Sequence, residues 1–495
     1  MKHQLQEKLK QKKVQRQIRA NLSVLQDVFA KIGEVRWRQV TLGSVRHPRK
    51  VLLVHCDGMV DGERLNRDIL PIMYDFFLQM DGRHISAERL EETFPISLQA
   101  TEQFFDPLTS LILRGHLIIF VDGIALAYVV DLANPPKRQP DEPSSEVSLI
   151  GPMDGFVEVL DTNVALIRKR LPTDTLCTES FTIGVRTQTK LCLLYIEDII
   201  DSEILAQIRG QIQSIHIDAV YASAQLEQLL KGSKSIVPLF NYSGRPDFVV
   251  GSLVRGRFAI VLDGIPTVMM GPANLSFLFQ SAEDEHMVPP FMMLQRGLRF
   301  AGLLITLLVP GFYIAIGTYH QDQIPLALLA TIATSRRGSP FPTPLEAFGM
   351  LLMFELFREA GNRLPGKLGQ TLAVVGGLVV GESAIDAGLT SPTLLVMVAV
   401  SSVASFTITN QSLAGVVTIF RFFILAASSF LGEFGFLVST FAVLVYLSTI
   451  RSFGVPYLAP FSPFQTGDLF KIFKIRLGKP RKRPAILHTK DGTRE

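Results

Sequence analysis

Cysteine is scarce in this chain of 495 residues, and its three thiols form no pattern. Cys56, Cys177 and Cys192 include no C-x-x-C pair, so neither a disulfide framework nor a zinc site is predicted. Cys56 and Cys192 lie in or beside apolar runs, which favours buried strand thiols. The N-terminus is basic and lacks an apolar run, so it does not resemble a secretory signal. We therefore expect the roughly 290 residues before the first long apolar segment to stay in the cytoplasm.

Common enzyme motifs are also missing. The sequence has no H-E-x-x-H, no G-x-x-x-x-G-K-[ST], no G-x-S-x-G and no dinucleotide-binding glycine pattern, and its nine histidines are scattered singly. We expect no enzyme activity, no cofactor and no metal site. The net charge of +4 comes mainly from basic tails beside the apolar region, which suits anionic membrane lipid better than nucleic acid.

Charge is depleted in one region only. From Ala301 to Ile450, 13 of 150 residues are charged, about 9%, against about 23% in the rest of the chain. This split predicts a soluble α/β part joined to a polytopic α-helical membrane part. The predicted divisions are a basic N-terminal helix or tail (1–44), a first α/β subdomain (45–134), a linker with a signature segment (135–184), a second α/β subdomain (185–285), a membrane domain (290–455) and a basic cytoplasmic tail (456–495).

The two α/β subdomains are predicted to be duplicates, because short patterns recur at an offset of 140 or 141 residues. VLLV at 51–54 and DGERL at 61–65 return as LCLL at 191–194 and DSEIL at 201–205; RG at 114–115 and DGI at 122–124 return at 255–256 and 263–265. Asp-Gly between apolar runs predicts a β-hairpin turn. A paired-carboxylate site at Asp122 and Asp263 is the less favoured alternative.

The first thirty residues contain apolar positions among many Lys and Arg. An amphipathic helix on a membrane surface or a partner is one interpretation. A solvated basic tail that leads into a packed helix is favoured over it.

Five stretches are long and apolar enough to span a membrane: 298–317, 368–385, 391–410, 412–432 and 434–451. The region 324–360 is interrupted by SRRGSPFPTP and predicts a broken or re-entrant segment. Basic residues flank the set on both sides, so both termini are expected in the cytoplasm and the number of crossings is even. Six crossings result if 341–357 crosses inward.

Acidic and basic groups inside these segments are costly in hydrocarbon and mark candidate sites. Glu382 and Asp386 share a helix face and, with Glu355, are candidates for the lining or gate of a cation pathway. The alternative is structural ion pairing, with Arg421, Glu346 and Glu433 as candidates. Gly377 and Gly381 form a small-x-x-x-small surface for close helix packing.

Two motifs carry a family resemblance. GPMDGFVEV at 151–159, leading through Asn163 to LIRKR at 166–170, resembles the hallmark of the GerA-type spore germination A subunits, and REAGNRLP at 358–365 resembles a second motif of that family. The signature residues are Gly151, Pro152, Gly155, Asn163, Arg168, Arg170, Arg358, Glu359 and Arg363.

The resemblance implies a germinant receptor subunit in the inner membrane of a bacterial endospore, a multi-pass protein. It implies assembly with a transporter-like B subunit and a lipoprotein C subunit, and homo-oligomerisation into a nutrient-gated cation channel that triggers germination. Met153-Asp154 departs from the family's usual Arg-Glu. An accessory or scaffold paralogue, such as the stage V sporulation AF type, and a secondary transporter remain alternatives.

Overall fold

The computed structural model describes residues 11–493, apart from 45–46, 81–89, 91–95, 97, 99, 137–150, 232–234, 364–380 and 473–481. The chain forms two compact units. Unit 1 comprises Met1–Ser233, Phe240–Pro272 and Lys479–Glu495; unit 2 comprises Lys234–Leu239 and Ala273–Gly478.

Unit 1 contains two five-stranded antiparallel sheets, and the strands of both follow the same order. The first sheet has the order β1-β2-β4-β5-β3, and its strands are β1 (Val35–Leu42), β2 (Arg49–Cys56), β3 (Ala100–Glu102), β4 (His116–Val121) and β5 (Ala127–Asp131). The second has the order β6-β7-β9-β10-β8, and its strands are β6 (Leu176–Ile183), β7 (Thr189–Ile196), β8 (Asn241–Ser243), β9 (Phe258–Leu262) and β10 (Val268–Gly271). The recurring VLLV and LCLL runs are the second strand of each sheet.

Helices cover the sheets of unit 1. They are α1 (Ile18–Val28), α2 (Leu70–Gln79), α3 (Phe105–Leu113), α4 (Leu160–Arg170), α5 (Ser202–Gln213), α6 (Ser223–Lys231) and α7 (Pro246–Val254). In β2, Leu52 and Val54 join a core that contains residues of α1 and α3, whereas Val51 and Leu53 join another that contains residues of α2. Both faces of this strand are therefore buried, and its sequence is continuously apolar instead of alternating.

Helix α1 belongs to this core. Its Ile18 and Leu25 are buried, and Phe29 follows them into the same cluster. The packed-helix interpretation is thus correct for α1, while residues 1–10 lie outside the described residues. The sheets also begin earlier than predicted: β1 precedes residue 45, and the whole of β6 lies within the predicted linker segment 135–184. The hydrophobic pattern missed β1 because only its end residues, Val35 and Leu42, are buried, while the polar residues between them are exposed.

The repeated Arg-Gly pairs end corresponding helices. Gly115 follows α3 with φ +96°, and Gly256 follows α7 with φ +98°. The left-handed conformation after a helix favours glycine. A Cβ on Gly115 would also lie 2.4 Å from the carbonyl oxygen of Met59. The recurring pair is therefore a helix C-terminus.

The repeated Asp-Gly pairs form the β4–β5 and β9–β10 turns, as predicted. Each aspartate also contacts the first turn of a helix. Asp122 Oδ1 accepts from the Ile18 N–H at 3.4 Å, and Asp263 Oδ1 accepts from the Leu160 N–H at 3.2 Å. A carboxylate at a helix N-terminus satisfies an otherwise unpaired donor and opposes the helix dipole. Each carboxylate therefore braces the helix of its own half.

Unit 2 is helical. Its helices are α8 (Leu275–Leu278), α9 (Pro289–Ile314), α10 (Leu326–Ser335), α11 (Thr343–Arg363), α12 (Pro392–Ser405), α13 (Gln411–Thr449) and α14 (Thr466–Ile472). In the described residues, α9 with its π-helical extension to Tyr319, and α13, are long and apolar enough to cross a membrane. Five or six spans were predicted. Helix α11 contains too many charged residues to be counted as such a helix, and α12 is too short. Most of 368–385 lies outside the described residues.

Helix α13 reverses direction at Gly432, which has φ 61° and ψ −139°. The rings of Phe420 and Tyr446 lie 6.0 Å apart between centroids, whereas 26 residues of continuous helix would separate them by about 39 Å. A Cβ on Gly435 would lie 2.2 Å from the carbonyl oxygen of Ala427. Helix α13 is thus a hairpin of two antiparallel arms, which coincide with the predicted segments 412–432 and 434–451.

Helices α9 and α12 of unit 2 run in opposite directions. Tyr313 of α9 hydrogen-bonds to Thr393 at the start of α12, and Thr306 of α9 bonds to Ser401 further along α12. Helix α12 therefore runs antiparallel to α9. Region 324–360 is broken between α10 and α11, as its sequence predicted.

Candidate functional site

The most buried arginine among the described residues of the helical unit is Arg421, on the first arm of α13. Its guanidinium donates through Nη2 to Oε1 of Glu355 on α11, and Arg358 Nη2 lies 2.5 Å from the other oxygen of the same carboxylate. Arg421 is 1% exposed, and its Nε and Nη1 have no hydrogen-bond partner among the residues described. Glu355 therefore lies between two guanidinium groups, and the cluster carries a net positive charge.

The other two ion-pair candidates have different partners. Glu346 is buried, and its Oε1 accepts from the Ser339 hydroxyl at 2.5 Å, while its Oε2 has no partner among the residues described. Glu433 lies beside the Gly432 reversal and accepts from Gln323 Nε2 at 2.9 Å. The guanidinium of Arg421 contacts Glu355 instead of either of these acids.

Glu382 and Asp386 lie four residues apart in a helical segment, and both side chains are exposed. The same segment includes Gly381, which is buried. A Cβ built on Gly381 would lie 3.1 Å from Leu395 Cδ2. Gly381 thus packs closely against α12. Gly377 lies outside the described residues.

An ion cluster that the sequence reasoning missed lies at the start of α9. Asp284 is fully buried and binds both Arg296 (Nε–Oδ2 2.8 Å) and Arg299 (Nη2–Oδ1 2.9 Å). Arg299 also donates to the carbonyl oxygen of Phe279. The acidic residues before the first predicted span were the sequence signal for this cluster, because arginines buried at the start of a helix need an acidic partner.

The first signature motif organises unit 1 around α4. The Val157 N–H donates to Asn163 Oδ1 at 2.8 Å, and Asn163 Nδ2 donates back to the Val157 carbonyl. Asn21 makes the same reciprocal pair with Gln15 before α1. The signature asparagine therefore fixes the chain that enters α4, and its counterpart does the same for α1.

Arg168 connects parts of unit 1 that are distant in sequence. Its buried guanidinium donates to Glu34 Oε1 at 3.1 Å, to the Thr173 carbonyl at 2.9 Å and to the Leu176 carbonyl at 3.1 Å. Glu34 also accepts from the Thr178 hydroxyl of β6. One guanidinium thereby ties α4, the edge of the second sheet and the segment before β1 together.

The remaining signature residues are more peripheral. Arg170 binds Asp154 with both carboxylate oxygens, at 2.6 and 2.7 Å, so the departure from the family's Glu keeps an acid in that place. Gly151 has φ +104°, Pro152 and Gly155 are half-buried, Glu359 is exposed, and Arg363 ends α11.

The three thiols are buried and protonated. Desolvation raises the pKa of Cys56 and of Cys177 to about 12, and burial raises the pKa of Cys192 further. The expectation of buried strand thiols is confirmed for Cys56 and Cys192. No group of acids, histidines and cysteines suited to a metal ion occurs among the residues described.

These thiols should resist alkylation in the folded protein. Only a thiolate is nucleophilic, so iodoacetamide at pH 8 should leave Cys56, Cys177 and Cys192 unmodified until denaturant is added. Mass spectrometry of the full chain measures the labelling. A Ser214→Cys variant, exposed after α5, should label at once and serves as the positive control. Rapid labelling of the native thiols would contradict the buried assignment.

Comparison with known proteins identifies the family. The family model for the Bacillus/Clostridium GerA spore germination protein matches residues 23–486. Spore germination protein XA of Bacillus anthracis is 38% identical over 484 residues, covering 97% of this chain and 98% of that protein. The uncharacterized membrane protein YfkQ of Bacillus subtilis (strain 168) is 35% identical over 423 residues, covering 85% of this chain and 82% of that protein.

A solved structure is also similar in part. The N-terminal domain of the A subunit of the Bacillus megaterium spore germinant receptor GerK3 aligns with 53% of this chain and 96% of its own, at 25% identity and a TM-score of 0.41. The match of the family model over almost the whole chain is the decisive finding. The chain belongs to the GerA family of spore germination proteins.

Proposed function

We propose that this chain is the A-type membrane subunit of a spore germinant receptor and forms, as a homo-oligomer, a nutrient-gated cation channel. Family membership supports a role in spore germination. One relative is named as a membrane protein and another as a spore germination protein, which supports a membrane location in the spore. We place the chain in the inner membrane. The proposed partners are a transporter-like B subunit, a lipoprotein C subunit and anionic lipid.

We further propose that unit 2 crosses the membrane six times. The antiparallel order of α9, α12 and the two arms of α13 supports this arrangement, with α11 and 368–385 supplying the other two crossings. The shared strand order, the matched Asp and Asn contacts and the matched helix ends support the proposal that the two halves of unit 1 are duplicates.

One observation carries the channel proposal. Glu382 and Asp386 are ionisable and exposed, on the same face of a helix, in a unit whose other buried charges described above mostly have ionic partners. Charged groups within a membrane domain face water or a partner chain. Several copies around an axis would place these carboxylates in rings, and acidic rings favour cations. Glu355 is the weaker candidate, because Arg421 and Arg358 both bind its carboxylate.

Removing the two carboxylates should reduce cation flux. The double variant Glu382→Gln/Asp386→Asn keeps the side-chain size but removes two charges per copy, so K⁺ release from proteoliposomes containing the receptor should fall at least tenfold. Glu433→Gln changes an acid that contacts Gln323 and serves as the matched control, with flux close to the original. Unchanged flux in the double variant would eliminate the pore assignment.

A further inference from the structure

Unit 2 contains an apolar pocket that none of the proposed roles uses. It has a volume of about 770 Å³, in the range of pockets that hold small ligands. Its walls come from α11, from the segment 383–389 and from α13. The aromatic and aliphatic side chains that line it include Phe341, Leu345, Phe348, Met353, Leu389 and Phe422.

One carboxylate interrupts this apolar wall. Glu346 lines the pocket and is 3% exposed. Its Oε1 accepts from the Ser339 hydroxyl, and its Oε2 is buried without a hydrogen-bond partner among the residues described. An unpaired buried carboxylate oxygen is costly, and a donor that reaches it removes that cost. A cationic donor gains most, because charge-assisted hydrogen bonds are the strongest.

We propose that this pocket binds a small primary amine with an apolar body. Oε2 of Glu346 is covered by neighbouring atoms, so the side chain turns toward the pocket on binding. The ammonium group then donates to this carboxylate, and an aromatic or branched aliphatic body fills the space between α11 and α13. The apolar walls select for the body, and the single carboxylate selects for the cation. The lining residues Ser383 and Ala387 are the sequence neighbours of Glu382 and Asp386, but neither of these two acids lines the pocket, and its occupancy does not depend on the channel proposal.

The probe pair is 2-phenylethylamine and 2-phenylethanol, which differ in the ammonium group. Binding to the full chain in lipid nanodiscs is measured by titration calorimetry at pH 7.5, with protein-free nanodiscs as the blank. The amine should bind at least tenfold more tightly than the alcohol. In Glu346→Gln the amine should lose at least tenfold in affinity, while the alcohol changes less than threefold. Equal affinities for the two probes, or amine binding that Glu346→Gln leaves unchanged, would overturn the proposal.

A second pair of variants tests the cavity without altering the acid. Gly349 lines the pocket, and a Cβ built on it meets no atom within 4 Å. Gly349→Phe should fill the space and abolish binding of both probes, whereas Gly349→Ala should retain amine binding within threefold. Amine binding that survives Gly349→Phe would place the probe elsewhere and refute the assignment. Because calorimetry needs no ion flux, its result is independent of the flux assay.

Discussion

Replacing Arg168 by methionine should destabilise unit 1 by about 3–5 kcal/mol, the cost of breaking a buried charge pair on one side. The change removes a guanidinium that is 1% exposed, together with its bonds to Glu34 and to two backbone carbonyls. Methionine fills much of the space, but it leaves Glu34 with the Thr178 hydroxyl alone as a side-chain donor and removes the guanidinium from both carbonyls. The expected result is therefore loss of stability caused by unpaired polar groups more than by a cavity.

The sole tryptophan of the chain allows this loss of stability to be measured. Trp37 lies on β1 and is paired with Val54, so its fluorescence during urea unfolding of the full chain reports on unit 1. Arg36→Met is the matched control, because Arg36 binds Asp57 at an exposed site and such pairs contribute about 0–1 kcal/mol. Equal unfolding midpoints for Arg168→Met and Arg36→Met would show that Arg168 is not the central tie.

Replacing Gly432 by valine should prevent the tight reversal of α13. The observed φ and ψ lie in a region open essentially to glycine, which costs other residues about 1–3 kcal/mol. A Cβ would in addition lie 2.9 Å from Tyr319 Cβ, closer than side-chain carbons approach. We expect the arms to separate and the apparent melting temperature of the detergent-solubilised protein to fall by roughly 6–12 °C.

Crosslinking tests the arm geometry directly. Cysteines placed at Phe420 and Tyr446 should be joined efficiently by a short bismaleimide, and Gly432→Val should reduce that yield at least fivefold. Gly415 is the matched control: it lies in the first arm with no atom within 4 Å of its Cβ, so Gly415→Ala should leave the yield unchanged and stabilise the helix slightly. Equal yields in all three proteins would contradict the hairpin.

Local signals in the sequence predicted much of this fold. The Asp-Gly turns, the recurring apolar strands and the break within 324–360 each follow from a few neighbouring residues, so they were visible without a structure. Gly432 shows the limit of that information: the apolar pattern gave two segments, but the reversal depends on a backbone conformation and on the approach of Tyr319. Those are properties of packing and not of composition.

The candidate sites were harder to predict, because their partners are distant in sequence. Arg421 and Glu355 are 66 positions apart, and Arg168 and Glu34 are 134 apart. The cost of placing charge in a membrane marked Arg421 and Glu355 as unusual residues, but it could not show that they pair with each other. The sequence did not predict that the turn aspartates contact helix N-termini, and it did not predict the Asp284 cluster. Each of these contacts depends on which backbone or side-chain groups the fold brings together.

Residues 483–490 belong to unit 1, although the rest of that unit comes mostly from residues before 273. Arg483 donates to the carbonyl oxygen of Val254, 229 positions earlier, and the Lys490 N–H donates to the carbonyl of Ile199. Thr489 lies against Gly256, so it covers the end of α7. During synthesis the described helices of unit 2 are therefore made before unit 1 receives residues 483–490. Without these residues Val254 and Ile199 lack their donors, so unit 1 reaches its full set of contacts only after unit 2 has been synthesised.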